Sequence, residues 1–67
     1  MTSDLDIYRA ANELMHQYGD EAAIRAAMRA ASLAEEGDLD GYVVWKRIVT
    51  AIDVISAGAI APGRKVH

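Results

Sequence analysis

Cysteine and phenylalanine are missing from this 67-residue chain, and proline occurs once. Without cysteine no disulfide framework can form, and the thiolate zinc sites that staple many small domains are closed. Basic residues are in the minority: seven Lys and Arg against ten Asp and Glu give a formal charge of −3 and a sequence pI near 5.1. Such a balance argues against nucleic acid as a partner, because phosphate neutralisation by Lys and Arg supplies most of that affinity. Long apolar runs are absent too. The longest stretch without a charge, Val54 to Gly63, falls far short of the roughly 20 apolar residues that cross a bilayer, so no membrane span is expected. Met1 is followed by polar and acidic residues and not by a basic stretch with an apolar core, so no secretory signal is expected and a cytoplasmic address is the simplest.

Hydrophobic side chains, by contrast, make up 52% of the chain, which excludes wholesale disorder. A domain this short still buries only about 60% of the surface its unfolded form exposes. Disulfides are unavailable, so self-association becomes the favoured way to bury more, and a homodimer is expected.

Apolar spacing and punctuation predict a small all-α domain of three helices with short Gly-Asp turns. Ser3 followed by Asp6 resembles a capping box, and Asp4 and Asp6 lie where a helix N-terminus favours negative charge. Ile7, Ala11, Leu14 and Tyr18 then recur at helical spacing, with Tyr8 and Met15 beside them. Gly19 can close this helix, and Asp20 is placed to cap the next, which should run from about Glu21 to Glu36. On that second helix Arg25, Arg29, Ser32 and Glu36 form a polar strip opposite an apolar arc of roughly 220°, rich in alanine. Neighbouring helices are therefore expected against two of its sides, making it the central helix. Gly37 and Asp38 repeat the Gly-Asp punctuation. The third element, about Leu39 to Ser56, is rich in Val and Ile, but Lys46 and Arg47 break any alternation while Val44, Trp45, Ile48, Ala51, Ile52 and Ile55 fall together at helical spacing. Residues 1–58 form the expected domain, and residues 59–67, with Pro62 and Gly63, a flexible tail.

Several residue sets invite a chemical reading. Glu36 to Gly41 matches the first half of an EF-hand loop, with oxygens at Glu36, Asp38 and Asp40 and glycine at the sixth place. The twelfth place, which needs a bidentate Glu, holds Arg47, so the bland reading of an acidic turn with Asp38 or Asp40 capping the third helix is preferred. Glu13 and His16 have the Glu-x-x-His spacing of di-iron carboxylate bundles, yet they fall opposite the apolar stripe, and the only other histidine is His67. No metal or cofactor is therefore expected, and metal binding stays an alternative. Trp45, Tyr8, Tyr18 and Tyr42 are read as core. Arg25 and Arg29 share a face one turn apart; a solvated surface is the default and an anion or acidic-partner contact the alternative. Val43, Arg47, Thr50 and Val54 lie on the face of the third helix away from its core stripe, and Val43, Thr50 and Val54 are seven and four residues apart, a seam that a partner helix can cover. These four are the interface candidates. A trihelical DNA-binding module with Lys46 and Arg47 on phosphate is a further alternative that the acidic balance disfavours. No Ser-His-Asp set, phosphate-cradling loop or carboxylate pair beside an apolar pocket can be assembled, so no enzyme is expected.

Taken together, Ala11, Leu14, Tyr18-Gly19, Glu21-Ala22, Ala26, Arg29-Ala30, Gly37-Asp38, Gly41, Trp45, Ile48 and Ala51-Ile52, with the closing Val66-His67, resemble a family of very short uncharacterised bacterial proteins classed as a domain of unknown function. That resemblance implies a stand-alone helical protein and transfers no functional residue. The expectation drawn from the residues is a non-enzymatic protein-interaction module that self-associates, its protein partner otherwise unnamed.

Overall fold

The computed structural model describes residues 3–58, and within them the chain is almost entirely helical, with no strand. Its α-helical parts are α1 (Asp4–Tyr18), α2 (Ala22–Glu35) and α3 (Leu39–Ser56). The expectation of three helices set apart by two turns needs correction. Between α1 and α2 lies a single 3-10 turn, Gly19–Glu21, and no residue outside helical winding. By continuity the chain makes two helical segments, one over residues 4–35 that bends at Gly19 and a second over Leu39–Ser56. Gly19, at φ 56° and ψ −125°, supplies the change of direction, and its N–H closes α1 on the Met15 carbonyl. Asp20 therefore does not cap α2: it lies inside the 3-10 turn, and Glu21 takes the N-cap position with no side-chain hydrogen bond. The 3-10 turn that follows directly on the α1 cap leaves few free amides for a side chain to satisfy.

The other termini follow local chemistry. Ser3 Oγ accepts from the Asp6 N–H at 3.2 Å, one half of a capping box. At the end of α2, Gly37 adopts φ 83°; its N–H donates to the Ala34 carbonyl and that of Asp38 to the Leu33 carbonyl, the paired bonds of a Schellman ending. Asp38 then starts α3 by accepting the Gly41 N–H on Oδ1 at 2.9 Å.

The core is thin and alanine-rich. Among the described residues the buried hydrophobics are Ile7 and Ala11 from α1, Ala22, Ala26, Ala30 and Leu33 from α2, and Ile48, Ala51 and Ile52 from α3. Only Ile7, Leu33, Ile48 and Ile52 are large, and each contributes about 1.5–3 kcal/mol by leaving water. Trp45 is half-buried and packs on this cluster beside Val44, Val49 and Ile55.

Packing overturns the expected central role of α2. It is α3 that lies against both other helices, whereas α1 and α2 touch each other much less. Only one side of the α2 arc is covered, along Ala22, Ala26, Ala30 and Leu33, while Ile24, Ala27, Met28, Ala31 and Ala34 face outward. Tyr18, read as core, is exposed as well, with the Arg25 guanidinium 4.6 Å above its ring.

Candidate functional site

Apart from the exposed Leu5 and Leu39, two apolar surfaces stand open among the described residues, and each is built by a helix that has more hydrophobic face than neighbours. The first is a groove of about 450 Å³ between the start of α1 and the stretch of α3 from Tyr42 to Ala51. Ile7, Val43 and Ala51 provide its apolar lining, Tyr8 and Tyr42 stand along it, and Asp4, Lys46, Arg47 and Thr50 supply polar groups. Val43 is 54% exposed.

Three of the four interface candidates meet in this groove, but each has neighbours that the spacing alone did not show. Arg47 is ion-paired with Asp4 across 43 positions of sequence, which ties the start of α1 to α3. Both side chains are well exposed, so the pair contributes little stability and mainly sets the position of the groove wall. Thr50 turns its hydroxyl back to donate to the Lys46 carbonyl at 3.2 Å. Val54 is half-buried and does not line the groove. The opposite wall, Asp4, Ile7 and Tyr8, carries no mark in the sequence that relates it to α3.

The second surface is the outer side of α2. Ile24 is 61% and Met28 63% exposed, one helical turn apart, and Ala27 and Ala31 complete an i, i+3, i+4, i+7 pattern that no other helix covers among the described residues. The signal for it was the width of the α2 arc, since an arc of about 220° exceeds what one packed neighbour covers. Arg25 sits at its margin, bound to Glu21 at 3.5 Å and stacked on Tyr18. Arg29 and Glu35 are exposed.

Elsewhere two of the residues singled out for metal chemistry, Asp38 and Glu13, already have other partners. Asp38 is committed to the α3 cap, while Glu36 closes α2 and Asp40 lies in the first turn of α3, both exposed. Glu13 accepts from the Gln17 side-chain amide at 3.0 Å and shares an exposed, shallow patch with His16, Asn12 and Arg9, whose cation opposes a second positive charge. Among the described residues no group of three or more His, Asp or Glu is placed to hold a metal ion. No helix in that range is long and apolar enough to cross a membrane. The expected tail, 59–67, lies outside the described residues.

Comparison of the chain with protein-family models, with curated proteins and with solved structures returns no match. The family resemblance noted above therefore rests on its motif residues alone.

Proposed function

We propose that this chain is a non-enzymatic, cytoplasmic helical module that works through protein contacts and self-associates, most simply as a homodimer. One observation carries the reading: α2 leaves Ile24 and Met28 about three-fifths exposed on a continuous apolar face. Four large buried residues among those described give a modest margin of stability, and covering Ile24 and Met28 adds apolar burial to it. The groove beside Val43 offers a further contact surface of the same kind, with Lys46 and the Arg47–Asp4 pair at its rim.

Sedimentation velocity over a concentration series through the micromolar range tests this reading. Reversible association that Met28→Glu weakens at least tenfold, with the helical circular dichroism signal kept, is the expected result. A protein that stays monomeric throughout, indistinguishable from Met28→Glu, contradicts it.

A further inference from the structure

The shape of the α2 face says more than that something covers it. Its bulky members, Ile24 and Met28, lie in the N-terminal half of the helix, and its last exposed apolar members, Ala31 and Ala34, are small and lie in the C-terminal half. Two copies laid side by side in the same direction would press Ile24 on Ile24 and leave gaps at Ala31 and Ala34. Turned antiparallel, Met28 comes level with Ala31 and Ile24 with the Ala34–Glu35 end of the second copy, and alanine lets the backbones approach closely. Charge runs the same way. Arg25 lies in the N-terminal half and Glu35 at the C-terminal end, both exposed, and Glu35 forms no ion pair among the described residues.

We infer that the occupant of this face is a second copy of the same helix, paired antiparallel about a two-fold axis with Met28 opposite Ala31 of the second copy. The inference rests on the self-association reading above and fixes its surface and geometry. A two-fold contact is isologous, so each advantage counts twice. At a rise of about 1.5 Å per residue, this register sets Arg25 within roughly one residue of Glu35 on the other copy, on the same flank of the pair. Parallel pairing instead sets Glu35 level with Glu35 and leaves each Arg25 about 15 Å along the axis from either carboxylate. A 14-residue helix is about 21 Å long, so its pairing alone buries less than the roughly 800 Å² per partner of a standard interface. The dimer is accordingly weak and concentration-dependent.

The absence of native cysteine makes the geometry directly readable. Single-cysteine variants Ala31→Cys, Ile24→Cys and Ala34→Cys are made in the full chain, checked by circular dichroism, and oxidised at a concentration where sedimentation shows association. Antiparallel pairing brings the two copies of position 31 within roughly 6 Å between Cα atoms, inside disulfide range. The two copies of position 24 stand more than about 16 Å apart along the axis. Ala31→Cys should therefore form covalent dimer at least tenfold faster than Ile24→Cys or Ala34→Cys alone, while a mixture of Ile24→Cys and Ala34→Cys gives the mixed dimer that neither forms by itself. Equal crosslinking of Ile24→Cys and Ala31→Cys shows parallel pairing and overturns the inference. Dimers that sediment but crosslink at none of these positions place the contact on another surface; the inference then fails and self-association stands. A monomer at every concentration removes both.

Discussion

Truncating Ile48 and truncating Ile24 to alanine delete the same atoms from two helices, but the surroundings differ. Ile48 is 3% exposed and belongs to the central cluster with Ile7, Ala11, Ala26 and Ile52, whereas Ile24 is 61% exposed. Helix propensity favours alanine at both sites by a few tenths of a kcal/mol, so it cancels in the comparison. Burial does not cancel. Ile48→Ala loses a buried side chain and leaves a cavity that a core of alanines cannot collapse into, at about 2–5 kcal/mol. A chain of this length has a total stability of only about 3–10 kcal/mol. With a urea dependence near 1 kcal/mol per molar, the unfolding midpoint should fall by about 2 M or more, and at the low end of that stability range the variant is partly unfolded at room temperature. Ile24→Ala, measured at a concentration below association, should change stability by less than about 0.5 kcal/mol. At high concentration its effect grows, because the wild type then gains stability by mass action that the variant loses. Urea titration followed by circular dichroism at two protein concentrations gives all four values. Equal losses for Ile48→Ala and Ile24→Ala at low concentration would refute the assignment of buried and open faces.

Other perturbations test the local chemistry. Asp38→Ala removes the side-chain acceptor of the Gly41 N–H and should lower stability by about 1 kcal/mol in thermal unfolding, with Asp38→Asn recovering most of it. Gly37→Ala forces a side chain into φ 83° and should cost about 1 kcal/mol, although nothing stands within 4 Å of the new methyl, so the loss is conformational. Gly41→Ala behaves differently: its Cβ would lie 2.7 Å from Asp38 Oδ2, so the cap must shift, and combining it with Asp38→Ala should give less than the sum of the two losses. Arg47→Ala breaks an exposed pair with Asp4 and should change stability by less than about 1 kcal/mol, an effect that shrinks further in high salt. Calorimetric titration with millimolar calcium, zinc or ferrous iron should give no binding heat, because Asp38 already serves the backbone and Glu13 already serves Gln17.

Much of the helical layout was legible because it rests on local chemistry. Ser3, Gly37 and Asp38 announce helix ends through hydrogen bonds made within a few residues, and the bounds of all three α-helical parts fall close to those that punctuation and spacing suggest. Gly19-Asp20 misled for the same reason it attracted notice. The pair resembles Gly37-Asp38, yet the following Glu21 and Ala22 continue the winding, and no free turn forms for Asp20 to cap. Coverage was legible only as an arc too wide for one neighbour. The helical wheel shows which side of α2 is apolar but not which part of that side a neighbour reaches, and that depends on α1 and α2 both lying on α3. Ile24 and Met28, at the edges of the arc, went uncovered as a result. The groove was half legible: Val43, Arg47 and Thr50 share one face of α3 by spacing, while Asp4, Ile7 and Tyr8 join them only through tertiary packing.

The open face of α2 is tested most directly by methyl NMR in the presence of a soluble paramagnetic probe, recorded from a concentration where the chain is monomeric up to one where it associates. The methyls of Ile48 and Ile52 should stay protected throughout, while those of Ile24 and Met28 should be strongly attenuated in the dilute sample and recover as concentration rises. Ile24 and Met28 methyls that are already shielded in the monomer, or that remain attenuated when the protein has associated, would contradict an α2 face left open for a second copy.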